Sequence, residues 1–299
     1  MAADSVLSHC LVTGASGFLG RPLCGELQRR HIKVRALLRQ PQEGPWQETV
    51  IGDLSAVLDQ SQKLFDGIDT VFHLAAIAHC DAPQQDYETI NHQQALRLAE
   101  AALSAGVRRF VYVSSVKAGE PDGDPYALSK YHTEQDLLAL SGWEHLAIVR
   151  PCLIYGVGVK GNLLSMLAGI DRGYFPPLPC NGAMRSLVFV GDVVSALILV
   201  ANSARAHRKI YTLSDSTPYA VKDIELAMRQ QLGKSIPGWH LPAWCFRLLG
   251  EQGNKLIASA IYSSALIRDE LGWQSADAFY RVLPELVNHY RNEKIKGKN

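Results

Sequence analysis

The stretch Thr13-Gly14-Ala15-Ser16-Gly17-Phe18-Leu19-Gly20 limits what this chain can fold into more than any other. Before it runs Cys10-Leu11-Val12, short and apolar, which suits a buried strand; after it, residues 19–27 suit a helix. In a strand-turn-helix of this kind Gly14 permits the sharp turn, Gly17 lets backbone approach a phosphate, and Gly20 lets the helix pack tightly on the strand. The N–H groups opening the helix then face an anion. The setting points to the pyrophosphate of a dinucleotide, although a plain strand-to-helix turn uses the same glycines.

The first half repeats that unit. Residues 32–38, 70–73, 109–113 and 147–149 read as strands, and residues 87–105, with Ile90, Ala95, Leu98, Ala102 and Leu103, as a helix stopped at Gly106. Such alternation predicts an α/β fold, a Rossmann-type doubly wound parallel sheet. After Pro151 the texture turns to glycine, proline and irregular apolar pieces. The expected division is a dinucleotide-binding domain over 1–155 and a smaller, loop-rich substrate-binding region over 156–299, with 187–213 returning to the sheet. Within the second region helices are expected near 162–170, 195–201 capped by Asp192, 221–232, 244–249 and 264–271, with a strand at 210–213 and a frayed basic tail from Lys294.

Composition narrows the partners. The chain has 299 residues, 47% of them apolar, and a net charge of +1, so it can bury a large core and offers no extended nucleic-acid surface. Cys10, Cys24, Cys80, Cys152, Cys180 and Cys245 are scattered, which predicts reduced thiols and no metal site. The longest apolar run, 193–201, is too short to span a bilayer, and residues 1–4 lack a secretion pattern, so a soluble cytoplasmic protein is expected.

Two stretches carry chemistry. In Asp124-Pro125-Tyr126-Ala127-Leu128-Ser129-Lys130 the aspartate caps a helix and the proline opens it, placing Tyr126 and Lys130 one turn apart on one face. An ammonium there, with a nicotinamide cation, favours phenolate and is expected to move Tyr126 from about pH 10 toward neutrality. Tyr126 then exchanges a proton with a hydroxyl or ketone. The second stretch, Phe110-Val111-Tyr112-Val113-Ser114-Ser115, sets two hydroxyls at the C-terminal end of a strand, where such sheets bind ligands. Ser115 is suited to steady charge on a reacting oxygen, and equally to a strand-end turn.

With these motifs in order, the chain resembles an extended short-chain dehydrogenase/reductase of the NAD-dependent epimerase/dehydratase family. The resemblance covers most of its length. It implies that Gly14, Ser16, Gly17, Phe18 and Leu19 hold the pyrophosphate; that Asp53 and Leu54 contact adenine; that Leu74, Ala75 and Ala76 form the loop after the fourth strand; and that Pro151 begins the substrate-side loop. Asn91 matches a helix asparagine of the family. Ser115, Tyr126 and Lys130 match its catalytic serine and Tyr-x-x-x-Lys, with Tyr126 and Lys130 also on the cofactor.

A narrower likeness, through residues 112–117, 155–162 and 185–190, is to bacterial nucleotide-sugar 4-ketoreductases and UDP-glucose 4-epimerase-like proteins of surface-polysaccharide pathways. It implies that Asn162 and Arg185, with Lys160 behind them, hold the diphosphate of a UDP-linked sugar. The step from Ser115 to Tyr126 is shorter than the family usually has, which either opens the sugar pocket or misplaces the serine. The second strand ends in Arg39 where NAD-selective members carry an acid, so NADP(H) is the preferred cofactor, NAD(H) remaining possible, with Arg35 a second candidate for the 2'-phosphate. Reduction and epimerisation at C4 stay open, as do reduction of a non-nucleotide carbonyl and a non-catalytic dinucleotide sensor. The family resemblance also implies a homodimer through residues 87–105 and 126–140.

Overall fold

The structure is a computed structural model that describes residues 7–58, 61–78, 83–121, 124–248 and 250–296. Cys80 lies outside the described residues. The chain forms two compact units. The first runs to Pro151 and takes in Val193–Leu213 and Ala265–Trp273; the second comprises Cys152–Asp192, Ser214–Ser264 and the chain from Gln274.

The first unit is built on a parallel seven-stranded sheet. Its strands are β1 (His9–Thr13), β2 (Lys33–Leu38), β3 (Glu48–Ile51), β4 (Thr70–His73), β5 (Arg109–Val113) and β6 (His145–Pro151). In the second unit β7 (Leu153–Tyr155) pairs in parallel with β9 (Leu187–Phe189), and β8 (Met184–Arg185) pairs antiparallel with β11 (Tyr219–Ala220). Strand β10 (Lys209–Leu213) completes the first unit's sheet, whose order is β10-β6-β5-β4-β1-β2-β3. Strand order therefore reverses between β1 and β4, the switch point at which doubly wound sheets bind ligands. Strand β9 pairs with β7 in the second unit; the first unit resumes at Val193, and β10 is the strand that rejoins the sheet.

Helices α1 (Gly20–Arg29), α2 (Leu54–Leu58), α3 (Ser61–Phe65), α4 (Gln84–Asp86), α5 (Gln94–Ser104) and α6 (Pro125–Ala139) follow the strands. A sheet covered on both faces needs strands apolar on both sides. Cys10, Leu11, Val12, Val71, Phe72, Phe110 and Val111 accordingly have no exposed surface. On one face Leu11, Val71 and Phe110 share a core with Ala95, Leu98, Ala99 and Ala102 of α5. The expected helix over 87–105 divides: Tyr87–Gln93 is π-helical, closed by Gln94 N–H donating to the Thr89 carbonyl, before α5 begins.

Arg35 departs from the expected role. It lies buried in β2, where Nε donates to Glu48 Oε2 at 2.7 Å and Nη1 to the carbonyls of Lys63, Leu64 and Asp66. The guanidinium ties β3 to the end of α3 and has no role left for a 2'-phosphate.

The second unit carries α7 (Asn162–Arg172), the start of α8 (Val190–Asn202), α9 (Val221–Leu232), α10 (Ala243–Arg247), α11 (Gly250–Ile257) and, after α12 (Ala265–Leu271) of the first unit, α13 (Phe279–Lys296). Helix α8 begins at Val190, so Asp192 is inside the first turn, not a cap; its Oδ2 accepts from Ala276 N–H at 2.8 Å. The tail is helical through Lys296; Lys294 and, from the chain after α9, Lys234 both bind Asp171 and hold its carboxyl down at about 2.

Buried Asp215 accepts through Oδ2 from the Tyr155 and Tyr219 hydroxyls at 2.9 and 2.7 Å, and Oδ1 has no hydrogen-bond partner among the described residues. Burial above all pushes its carboxyl up to about 6; Asp277 and Asp192 push the same way, and the two tyrosines oppose them. A raised acid binds more protons folded than unfolded, so this group's contribution is present at low pH and disappears as pH climbs from about 4 to about 6. Asp215→Asn is therefore expected to gain stability over the parent across that window, levelling at about 2–3 kcal/mol above it. Urea unfolding at pH 4.5 and 7.5 checks this; a gain independent of pH would refute it.

Candidate active site

The glycine loop is shaped by contact on its sheet side. Gly14 has φ +69°, and a Cβ there would come within 2.9 Å of the Ala75 backbone nitrogen; at Gly20 it would lie 2.1 Å from the Gly14 carbonyl oxygen. Neither position admits a larger residue. At Gly17, whose N–H donates to the Gly14 carbonyl at 2.9 Å, a Cβ would meet only that oxygen, so the opposite side is open. This is the cradle a pyrophosphate needs at the head of α1, with Ser16 exposed and Phe18 and Leu19 half-buried beside it. Thr13 Oγ1 locks the loop after β4 to it, accepting from Leu74 and Ala75 N–H at 3.2 Å each and pairing with His73 Nδ1 at 2.7 Å. Burial first, then the Lys130 charge, drops His73 to about 3, so its imidazole is neutral and accepts the Thr13 hydroxyl proton through Nδ1.

Ser115, Tyr126 and Lys130 come together beyond the end of β5. Asp124 caps α6 as expected, Oδ1 accepting from Tyr126 N–H at 3.0 Å and Ala127 N–H at 3.4 Å, with Pro125 in the first turn. The cap sets Tyr126 within the influence of the Ser115 hydroxyl, which favours the phenolate. One turn on, Lys130 is buried, its Nζ donating to the Val113 carbonyl at 2.9 Å and lying 4.6 Å from the centre of the Tyr112 ring. Tyr112 in turn stacks on His73, with centroids 5.7 Å apart and planes at 16°.

The expected lowering of the phenol pKa does not occur in the chain by itself. Burial pushes Tyr126 up to about 12, the Ser115 hydroxyl acting in the other direction, while Asp124 and Tyr87 add to the rise. Burial likewise brings Lys130 down to about 7, against the Glu134 charge that raises it. At neutral pH the phenol is thus a proton donor, and the amine beside it loses much of the charge that was to ionise it.

Sequence reasoning missed the groups that fix this arrangement. Lys117 Nζ bonds Asp124 Oδ2 at 2.7 Å and lies 5.6 Å from the Tyr126 ring centre, bridging the short step from Ser115 to the helix. Tyr87 meets the same ring edge-on at 6.2 Å. Asn91, noted only as a match, accepts from Ile77 N–H at 2.8 Å and donates to the Ile77 carbonyl at 3.0 Å and Ser129 Oγ at 3.3 Å, tying the loop after β4 to α6. Glu134, with no exposed surface, takes the Arg150 guanidinium on both oxygens. None of these pairs has a sequence spacing that announces it.

Arg39 is exposed just past β2; Pro151 ends β6, buried; Asp53 spends Oδ1 capping α2 through Ser55 N–H and Oγ at 3.1 and 2.8 Å, with Leu54 next to it and Ala76 exposed. Asn162 and Arg185 belong to the second unit. Asn162 is exposed at the head of α7, while Arg185 Nη2 donates to the Lys255 and Ala258 carbonyls at 2.6 and 3.1 Å, closing the end of α11.

The description of the NAD-dependent epimerase/dehydratase family matches residues 10–214, from the first strand through the last strand of the sheet. The chain belongs to that family. Among its relatives a UDP-glucose 4-epimerase of Vibrio cholerae is 28% identical over 304 residues, spanning 88% of this chain and 90% of that one. A ceramide reductase of Caulobacter vibrioides is 36% identical over 195 residues, spanning 62% of this chain and 59% of that one. A solved structure described as MoeE5 in complex with UDP-glucose and NAD superposes with TM-score 0.78 at 23% identity, over 96% of this chain and all of the other, and shows the shared fold. Among the described residues no helix is long and apolar enough to cross a membrane. As a family member the chain is an enzyme that works with a nicotinamide dinucleotide, and its glycine cradle fits one.

Proposed function

We propose that the chain transfers hydride at C4 of a UDP-linked sugar, as a 4-epimerase or a 4-ketoreductase. The observation that carries this is Tyr126, set by the Asp124 cap at the head of α6 with Lys130 buried one turn behind it, together with a loop fitted to a dinucleotide. Similarity to the Vibrio cholerae UDP-glucose 4-epimerase along nearly the whole chain supports the sugar nucleotide. The nicotinamide, when bound, supplies or takes up the hydride. Tyr126 gives its phenolic proton to the C4 oxygen in reduction and recovers it in oxidation, and Ser115 hydrogen-bonds that oxygen as charge develops. Lys130 holds the nicotinamide ribose, and whenever its amine is charged it favours the phenolate. Asn162 and Arg185 are the candidates for the diphosphate, Arg185 through donors other than its Nη2 bonds to α11.

The test is direct. Incubation with UDP-glucose and UDP-galactose should interconvert them, or a UDP-4-keto sugar should consume NADPH; a UDP-sugar at a hundred times its Kd should stabilise the fold by about 2.7 kcal/mol. The stretch of similarity to the ceramide reductase favours a second reading, reduction of a non-nucleotide carbonyl. NADPH oxidation by a lipid ketone with no response to UDP-sugars would establish that reading and remove the first. A dinucleotide sensor without catalysis would turn over neither.

The same reading prefers NADP(H), through exposed Arg39 at the end of β2. Arg39→Ala is then expected to weaken NADP+ about tenfold and leave NAD+ unchanged, the size of one charge-assisted phosphate bond. Calorimetric titration decides; tighter NAD+ binding in the parent and an inert substitution would defeat it. We place the enzyme in the cytoplasm, in surface-polysaccharide precursor synthesis, as a homodimer through residues 87–105 and 126–140, which sedimentation checks.

A further inference from the structure

A second constellation lies on another face of α6. Glu88 and His92 are four residues apart in the π-helical segment, and His132 and Asp136 four apart in α6, so two packed helices turn four polar side chains toward one another. His92 stands between the carboxylates: Nδ1 is 2.5 Å from Glu88 Oε1 and Nε2 is 2.6 Å from Asp136 Oδ2. His132 Nδ1 is 3.4 Å from Glu88 Oε2, and the two imidazole centroids are 5.7 Å apart. One ligand atom from each of Glu88, His92 and His132 falls within 4.8 Å of the other two.

We propose that Glu88, His92 and His132 form a binding site for a divalent cation of the zinc class, with Asp136 orienting His92 from behind. Two imidazoles and one carboxylate make a mixed nitrogen and oxygen set, which selects borderline metals such as Zn2+ over Mg2+ and Ca2+. The distances suit it. Bonds of about 2.1 Å in a tetrahedron put ligand atoms about 3.4 Å apart, the separation already present between His132 and Glu88. His92 offers Nδ1 on the Glu88 side, and Asp136 accepts the N–H on the far side, as carboxylates do behind metal-bound histidines. Water takes the remaining position. A π-helical turn is an uncommon element that gathers at functional sites, and here it carries two of the ligands.

An imidazole must be deprotonated to bind a metal, so binding weakens as pH falls.

The full chain, stripped with chelator and titrated with zinc chloride against a chromophoric chelator at pH 7.5, should take up one Zn2+ per chain. His92→Ala and His132→Ala should each abolish that uptake, and Asp136→Asn should weaken it about 10- to 100-fold without abolishing it. Cys180→Ser and Cys245→Ser, at the thiols with surface exposure among the described residues, should leave it unchanged. Cobalt in the site should show visible bands without the near-ultraviolet band of a thiolate ligand. Absence of saturable one-to-one binding overturns the proposal, as does a site that survives His132→Ala or is lost in either cysteine variant. His132 is half-exposed, so its variant decides the matter even if His92→Ala fails to fold.

Discussion

Replacing Tyr126 with phenylalanine should lower turnover by about 10^2- to 10^4-fold, the usual worth of a positioned acid or base. Dinucleotide affinity and thermal stability should stay within about twofold and one degree of the parent, since phenylalanine keeps what packs the ring. That packing is Tyr87 edge-on at 6.2 Å and the Lys117 ammonium 5.6 Å from its centre, and neither contact needs the hydroxyl. The phenol sits at about 12 in the chain alone, so at neutral pH it is protonated and ready to donate. Steady-state rates and dinucleotide titration on one preparation check both halves. Turnover within tenfold of the parent would show that the proton comes from elsewhere.

The largest stability effect is expected at Glu134. Its carboxylate has no exposed surface, and Arg150 Nε lies 2.8 and 3.1 Å from its two oxygens, with Nη2 on the second. Glu134→Ala strands a guanidinium that is only 19% exposed, and breaking such a pair from one side typically costs about 3–5 kcal/mol. Glu134→Gln, which keeps the shape and an acceptor, should cost less. Urea unfolding of the three proteins gives the comparison, and a loss under about 1 kcal/mol for the alanine variant would mean water rescues Arg150. Because the Glu134 charge also raises Lys130, its removal should leave that amine still less charged at pH 7.

What the sequence revealed and what it hid follow from range. Thr70–His73 and Arg109–Val113 were legible to the residue because buried parallel strands are unbroken apolar runs. β3 was not: Glu48-Thr49-Val50-Ile51 at the sheet edge mixes charge with apolar residues and has no such run. The cap at Asp124, the glycine turn and the Tyr126–Lys130 pair were readable because each is decided within a few residues. The role given to Arg35 was misread, and the Arg185 contacts were hidden, for the opposite reason. Their partners are carbonyls 28 to 31 and 70 to 73 residues away, and a cation's spacing says nothing about which distant helix end it will close. The raised Tyr126 pKa of the chain alone was hidden similarly, since desolvation, its largest cause, does not show in local spacing.

The π-helical turn over Tyr87–Gln93 has one more consequence. Such a turn amounts to a single surplus amino acid absorbed without breaking the coil. Excising one amino acid there would restore regular α pitch and swing the preceding side chains by about 100° around the axis. Tyr87 would leave the Tyr126 ring and Glu88 would leave His92 in one stroke. Insertion length at this point is therefore a natural marker for separating members of the family that share these contacts from those that do not.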